Sequence, residues 1–278
     1  MKNILKIMLM MITIYTIAGS AVYAAEIPVS DQDQLITSRD WTEISNLQDE
    51  MKKEEPDATI DYDKALKVYV DCNLIKLQTA DTKKLTSALE SANYVWVIPF
   101  KMEKTYGMFT VAKGLPLREE AKSVLTKAEQ EEVKNHAGKW MITETAEHTV
   151  EPYYDILLEK REALSDCTRV VLVGSQPGMR QPVALGMDDE TARIWISLGY
   201  QYPVMEKIPE TQNVESGVYS FESVADISDT YIEDSEVSTG AGVQSRSSMK
   251  YVAGIGIIVI GSILILSVLK KKKLEDYE

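Results

Sequence analysis

Two stretches rich in β-branched and aromatic residues, YVWVIPF at 94–100 and YGMFTVA at 106–112, decide the fold class of this chain of 278 residues. The five residues 101–105 connect them, which is a spacing typical of a β-hairpin. Pro99 has no backbone N–H, so it predicts a bulge or an edge position near the end of the first strand. The pair therefore predicts two neighbouring antiparallel strands.

Further strand candidates lie on both sides of this hairpin. The most apolar of them is RVVLVG at 169–174, which we predict at the centre of the sheet. The stretches at 181–187 and 192–198 follow it, and the three together predict an antiparallel meander. Shorter candidates are ALKVYV at 65–70 and WMITET at 140–145.

Four stretches have apolar residues at helical spacing. They are residues 40–54 behind a capping box of Asp40 and Glu43, a short helix capped by Asp81, residues 118–135, and residues 152–164. Strands joined partly by hairpins and partly by helices predict an α+β fold, with helices packed on an antiparallel or mixed sheet. We place this domain at residues 39–205 and treat residues 25–38 as an N-terminal extension.

Both ends of the chain predict membrane targeting. Residues 1–24 contain two lysines, then an apolar stretch and then small residues, the layout of a secretory signal peptide, with an uncleaved signal anchor as the alternative. Residues 251–269 are uncharged and long enough to cross a bilayer as a helix. Because Lys270–Lys273 follow and basic residues stay on the cytoplasmic side, we expect a single-pass protein of the cell membrane. Its transmembrane helix would be 250–270, with the cytoplasmic tail 271–278 inside and the ectodomain outside.

The region before this segment has a different composition. Residues 210–249 carry eight acidic residues and one arginine among many Ser, Thr and Gly, with no clean period. This favours a flexible acidic stalk over residues 206–249. The alternative is that residues 215–232, which include Tyr219, Phe221 and Val224, dock on the domain or on a partner.

The charge of the predicted ectodomain restricts its partners. Residues 25–249 hold 23 Lys and Arg against 40 Asp and Glu, a formal net charge of −17. Such a charge disfavours nucleic acid and anionic membrane surfaces. It favours cationic peptides or metal ions, and solubility alone is the alternative interpretation. With two histidines and two cysteines in the chain, no metal site is predicted, and no cofactor motif is present.

Cys72 and Cys167 are a candidate disulfide. Both lie in the part of the chain that would be exported, where thiols can oxidise, and a pair of free thiols is the alternative. The short leader with its lysines and the absence of an Asn-x-Ser/Thr sequon favour a bacterial cell-surface protein.

The sequence leaves the catalytic residues unknown. Ser175 follows Gly174 directly and so does not form the G-x-S-x-G elbow of a hydrolase, and His136 and His148 have no motif partner. Acid–base candidates are Glu147, Glu151, Asp155 and Glu159. Calcium candidates are Asp61–Asp63 and Asp188–Glu190, which lack the ligand spacing of a calcium loop.

Three functional hypotheses follow. The first is a non-enzymatic binding or accessory ectodomain, with an unknown extracellular ligand or a membrane partner such as a transporter or sensor. The second is a membrane-tethered hydrolase acting on cell-wall or peptide substrates. The third is a wall protein anchored by sortase, because Thr239-Gly240 before an apolar segment looks like a degenerate sorting signal that lacks the usual leucine and proline.

Overall fold

The computed structural model describes residues 27–148, 150–174, 176, 179, 181–200 and 202–227. These residues form an α+β fold with a large mixed sheet and a few helices. The predicted fold class is confirmed at that level. The strands are β1 (Thr59–Ile60), β2 (Leu66–Tyr69), β3 (Tyr94–Lys101), β4 (Tyr106–Lys113), β5 (Trp140–His148), β6 (Arg169–Val173), β7 (Val183–Met187), β8 (Ala192–Ser197), β9 (Asn213–Glu215) and β10 (Val218–Ser220).

The sheet has the order β5-β4-β3-β2-β6-β7-β8-β10-β9, and β1 pairs with the end of β3. The predicted hairpin is formed by β3 and β4, and the predicted meander by β6, β7 and β8. As expected, β6 is central, and its parallel pairing with β2 makes the sheet mixed. Pro99 pairs with Met108 inside the hairpin, and its carbonyl faces the chain between β1 and β2, where it accepts the Asp61 N–H at 2.9 Å. The edge of Pro99 that lacks an N–H therefore lies beside an interruption in the neighbouring strand.

The N-terminal segment is part of the sheet, which corrects the predicted extension at residues 25–38. Val29 bridges Val170 of β6, and Gln34 bridges Leu66 of β2. Leu35 is fully buried, and its N–H donates to the Ala65 carbonyl at 3.1 Å. Residues 27–35 therefore occupy the space where the amino ends of the parallel strands β2 and β6 diverge. The apolar pattern of so short a segment could not reveal this pairing, because its partners are distant in sequence.

The described helices cover both faces of the sheet. They are α1 (Trp41–Ile44), α2 (Gln48–Glu54), α3 (Thr82–Ser91), α4 (Glu119–Lys122), α5 (Lys127–His136) and α6 (Tyr153–Glu159), and residues 221–227 are also helical. A 3-10 turn joins α1 to α2, so the predicted helix at 40–54 is nearly continuous. Asp81 caps α3 as predicted, accepting the N–H groups of Lys83 and Lys84 at 2.9 and 3.1 Å.

Successive residues of each strand alternate between two apolar layers. Leu157 of α6 packs on one face, in a cluster with Val170 and Leu172 of β6. The opposite face carries two clusters. One contains Leu85 of α3 together with Val171, and the other contains residues of α1, α2, β3 and β4.

The predicted helix at 118–135 is broken into α4 and α5. Thr126 starts a new helix through a capping box with Glu129, whose N–H donates to the Thr126 hydroxyl at 3.3 Å. Among the described side chains of residues 114–139, none is buried, and Val124 is 73% exposed. This pair of helices therefore projects from the β4–β5 connection and adds little to the core.

The described C-terminal residues are folded, so the stalk predicted over residues 206–249 does not hold for the described residues from 206 to 227. Strand β10 pairs with β8, and β9 pairs with β10. Phe221 and Val224 are buried in the cluster that contains Val171. Their packing is the docking that the sequence offered as an alternative for this region. The physical cause is that β8 would otherwise leave its outer edge and this apolar cluster open to water.

The predicted signal peptide at 1–24, the remainder of the stalk from residue 228, the span at 250–270 and the tail at 271–278 lie outside the described residues. Within the described part of the chain, no helix is long and apolar enough to cross a membrane.

Candidate functional site

A buried carboxylate organises the centre of the molecule. Asp33, at 2% exposure, lies in the N-terminal segment between β2 and β6. Its Oδ2 is 3.0 Å from Arg169 Nη2, and its Oδ1 is 3.4 Å from Lys67 Nζ. Ser30 and Tyr69 donate hydrogen bonds to it at 2.6 and 2.7 Å. Asp33 thus ties the N-terminal segment to both of the strands between which it lies.

The electrostatics of Asp33 follow from these contacts. Burial alone would raise the pKa of its carboxyl group, because the charged form loses hydration. The hydrogen bonds from Ser30 and Tyr69 and the two neighbouring cations outweigh burial, and they hold the pKa below its ordinary value. Asp33 is therefore a charged group stabilised inside the protein.

Lys67 occupies an aromatic pocket beside this carboxylate. Its Nζ lies 4.7 Å from the ring centroid of Tyr94, 5.3 Å from that of Trp96 and 5.7 Å from that of Tyr69. Burial lowers the pKa of the Lys67 amine, although the charge of Asp33 opposes the shift. The pocket is thus an ammonium site built from aromatic faces and a carboxylate.

Asp40 extends this polar cluster, which corrects its predicted role as a helix cap. Its side chain makes no capping hydrogen bond. Instead its Oδ2 accepts the Tyr94 hydroxyl at 2.8 Å and Trp96 Nε1–H at 3.1 Å. Asp33 and Asp40 therefore fix both ends of the segment that precedes α1.

A surface groove of about 550 Å³ is built on this fixed segment. It is lined by Ile36, Trp41, Thr59, Ile60, Asp61, Tyr62, Asp63 and Lys101. The rings of Trp41 and Tyr62 meet edge to face, with centroids 5.1 Å apart and planes at 69°. The groove therefore combines an aromatic corner with two carboxylates and one lysine, and we take it as the candidate site.

The charged groups of the groove are unequally paired. Asp61 is 3.7 Å from Lys64 Nζ, but Lys64 lies closer to Asp155 of α6, at 2.8 Å. That hydrogen bond from Lys64 to Asp155 is the main reason why the pKa of the lysine is raised. Asp63 is exposed and has no ion pair or hydrogen-bond partner among the described side chains. Lys101 Nζ lies 6.0 Å from the ring centroid of Tyr106.

The other predicted site residues lie on separate elements. Asp155 forms the ion pair with Lys64, Glu159 ends α6, Glu151 precedes that helix, and Glu147 lies on β5. His136 ends α5, and the backbone of His148 ends β5. Ser175, Thr239 and Gly240 fall outside the described residues. The structure thus gives no common site to those of these residues whose side chains it describes.

The calcium candidate at Asp188–Glu190 has a structural role, whereas Asp61–Asp63 line the groove. Asp188 Oδ1 accepts the N–H groups of Glu190 and Thr191 at 2.8 and 2.6 Å, which closes the turn between β7 and β8. These backbone hydrogen bonds lower the pKa of Asp188. No group of three or more His, Cys, Asp or Glu residues suited to a metal ion occurs in the described ranges.

Cys72 and Cys167 are free thiols in this structure. Cys72 packs against the cluster containing Val171, whereas Cys167 belongs to the cluster containing Val170 on the opposite face. The sheet therefore separates them, and the structure does not support the candidate disulfide. Burial raises the pKa of both thiols, to about 12 for Cys72 and about 11 for Cys167.

We expect the folded protein to react slowly with iodoacetamide at pH 8, because Cys167 is buried, Cys72 is half-buried and almost none of either is in the reactive thiolate form. In denaturant without a reductant, both cysteines should be alkylated, and intact mass spectrometry measures the added groups. Samples reduced before denaturation provide the control. A mass that shows alkylation only after reduction would establish the disulfide and contradict the separation of the thiols by the sheet.

Comparisons with known proteins add no relative: the chain matches no protein-family model, no curated protein and no solved structure. The site therefore has to be interpreted from its own chemistry.

Sequence reasoning missed Asp33 and the groove. One signal was present, because Lys67 lies at an inward position of the otherwise apolar strand ALKVYV, where a charge needs a buried counter-ion. That signal does not identify Asp33 as the partner. Trp41 and Tyr62 are 21 residues apart, so no local pattern connects them.

Proposed function

We propose that the protein is a single-pass cell-surface protein with a non-enzymatic binding ectodomain, and that the groove lined by Trp41, Tyr62 and Lys101 is its ligand site. The observation that carries this proposal is the groove itself. Ligand sites are concave, with apolar walls and a few placed polar groups, and the groove has this composition. The buried cluster of Asp33 and Asp40 supports the proposal, because it holds one wall of the groove rigidly.

The sequence at both ends supports the membrane placement. A signal peptide at 1–24 would export the domain, and a span at 251–269 followed by four lysines would retain it. The described residues reach 227, and we propose residues 228–249 of the predicted stalk as the tether. A flexible chain of that length reaches roughly 25 Å on average. We propose that this tether places the groove near the membrane surface, where it serves a neighbouring transporter or sensor.

Fractionation of cells expressing the full chain, with an epitope added after Glu278, tests this placement. We expect recovery with detergent but not with enzymes that digest the wall. Protease added to intact cells should degrade the domain and leave the epitope protected, because basic residues keep that end inside. Permeabilised cells, in which the epitope should also be lost, are the control.

Release of the protein by wall digestion alone would contradict membrane residence. In that case, the variant Thr239→Ala tests the sorting-signal alternative. Loss of the wall-attached form in this variant would assign the anchoring to Thr239 and Gly240.

A further inference from the structure

The interior of this protein already holds one ammonium group by aromatic faces and a carboxylate. Lys67 Nζ lies within 5.7 Å of three aromatic ring centroids and 3.4 Å from Asp33 Oδ1. Attraction of a cation to a ring face extends to about 6 Å from the centroid. The buried pocket therefore shows which side-chain set stabilises an ammonium in this fold.

The surface groove presents a similar set of side chains to solvent. It contains one tryptophan, one tyrosine and two aspartates, and its aromatic rings form a corner. Among the described residues, no Lys or Arg lies over the ring of Trp41 or Tyr62. Lys64 is directed at Asp155, and Lys101 lies beside Tyr106. The aromatic corner is therefore not occupied by a described cation of the chain itself.

The charge of the groove selects among ligand classes. An anionic ligand would meet Asp61 and Asp63, and both carboxylates would repel it. A wholly apolar ligand would bring Asp63 toward a desolvated position without supplying a counter-ion, which is unfavourable. A ligand with a positive charge on an apolar stem meets neither penalty. Lys101 repels such a ligand, but the lining carries two carboxylates against this one lysine. The net charge of −17 over residues 25–249 attracts the ligand over distance.

We propose that the groove binds organic ammonium groups, with the cation against Trp41 and Tyr62 and with Asp61 and Asp63 as its counter-ions. This inference rests on the proposed binding function and names the ligand class of the same groove. The volume of about 550 Å³ exceeds that of a lysine side chain, so a whole lysine residue of a peptide fits. A quaternary ammonium headgroup carries the same chemistry and is the second source.

Tryptophan fluorescence of the full chain in detergent micelles tests the proposal. Trp41 is half-buried and lines the groove, whereas Trp96, Trp140 and Trp195 are buried at 0%, 7% and 0% exposure. Titration with Nα-acetyl-lysine amide should change the fluorescence saturably, with a dissociation constant of about 1 mM. The same compound acetylated at Nε keeps the stem without the charge, and it should give no saturable change.

Matched variants locate the binding. Asp63→Asn should weaken binding of the lysine amide about fivefold, since it removes an exposed counter-ion. Asp166→Asn removes one exposed carboxylate that does not line the groove and should leave binding unchanged.

Choline in place of the lysine amide distinguishes the two sources of the ammonium group. Saturation by the lysine amide alone indicates a peptide, and saturation by choline indicates a headgroup.

Three results would overturn the proposal: an equal response to the Nε-acetylated compound, the absence of saturation with both cations, or equal weakening by Asp63→Asn and Asp166→Asn. The outcome is separable from the membrane placement, because the titration needs only the folded protein. If the protein binds the cation but is not recovered from the membrane fraction, the cell-surface function alone is refuted. Absence of binding in a membrane-anchored protein would refute the ligand class alone.

Discussion

The substitution Asp33→Asn is expected to lower the free energy of unfolding by about 3–5 kcal/mol. Asparagine keeps the shape of the side chain, but it leaves Lys67 and Arg169 without the anion that they share at 3.4 and 3.0 Å. Removing the counter-ion of a buried cation lowers the free energy of unfolding far more than removing that of an exposed cation. The melting temperature should fall by roughly 6–20 °C, measured by circular dichroism on the full chain.

Asp31→Asn is the matched control, because Asp31 is exposed and only two residues away. Its effect on the free energy of unfolding should stay within about 0.5 kcal/mol. If both variants unfold at the same urea concentration, the buried ion cluster does not contribute to stability as argued.

Asp33 also makes the stability of the protein depend on pH in the acid range. The pKa of Asp33 is lower in the folded state than its value of 3.8 in the unfolded chain. Asp33 therefore contributes fully to the free energy of unfolding above pH 3.8, and this contribution is lost as the pH falls through the folded-state pKa. The Asp33→Asn variant has no such group to protonate. The difference in unfolding free energy between wild type and variant should therefore shrink as the pH falls below about 4.

The substitution Phe221→Ala is expected to lower the free energy of unfolding by about 3 kcal/mol. Phe221 is 4% exposed and stacks on the fully buried Trp195 with ring centroids 5.7 Å apart. Removing its ring leaves a cavity beside Trp195 and weakens the packing of residues 221–227 on the domain. Urea unfolding followed by Trp fluorescence measures the change.

Val214→Ala is the control for this prediction, because Val214 lies in the same C-terminal region at 57% exposure. It should change the free energy of unfolding by less than about 0.5 kcal/mol. Near-zero effects for both variants would be the result expected of a stalk, and they would refute the integration of residues 213–227 into the domain.

This C-terminal boundary also affects the proposed function. Because the described fold continues to residue 227, the proposed tether keeps only residues 228–249 of the stalk predicted at 206–249, which is 22 residues in place of 44. A shorter tether confines the groove to a narrower zone above the membrane. Extending the tether without changing the domain would leave ammonium binding intact while separating it from any membrane partner.

Local chemistry made several parts of the fold predictable. The hairpin β3–β4, the meander β6–β8 and the Asp81 cap each depend on residues close together in sequence, and each is confirmed. The helix at 118–135 was predicted in the right place but in one piece, because its composition hides the new start at Thr126. Composition also suggested a stalk for residues 206–249, because even in the folded part, residues 206–227, acidic residues outnumber the buried apolar ones.

The sequence by itself therefore determined the α+β class, the central strand and the excess of negative charge, because periodicity and composition are local quantities. Its membrane segments remain predictions made from the sequence alone. Only the tertiary structure brought Asp33 to Lys67 and Arg169, and Trp41 to Tyr62. These contacts depend on the pairing of strands that are distant in sequence. A lone charge in an apolar strand shows that a partner is needed, but it does not show where in the chain that partner lies.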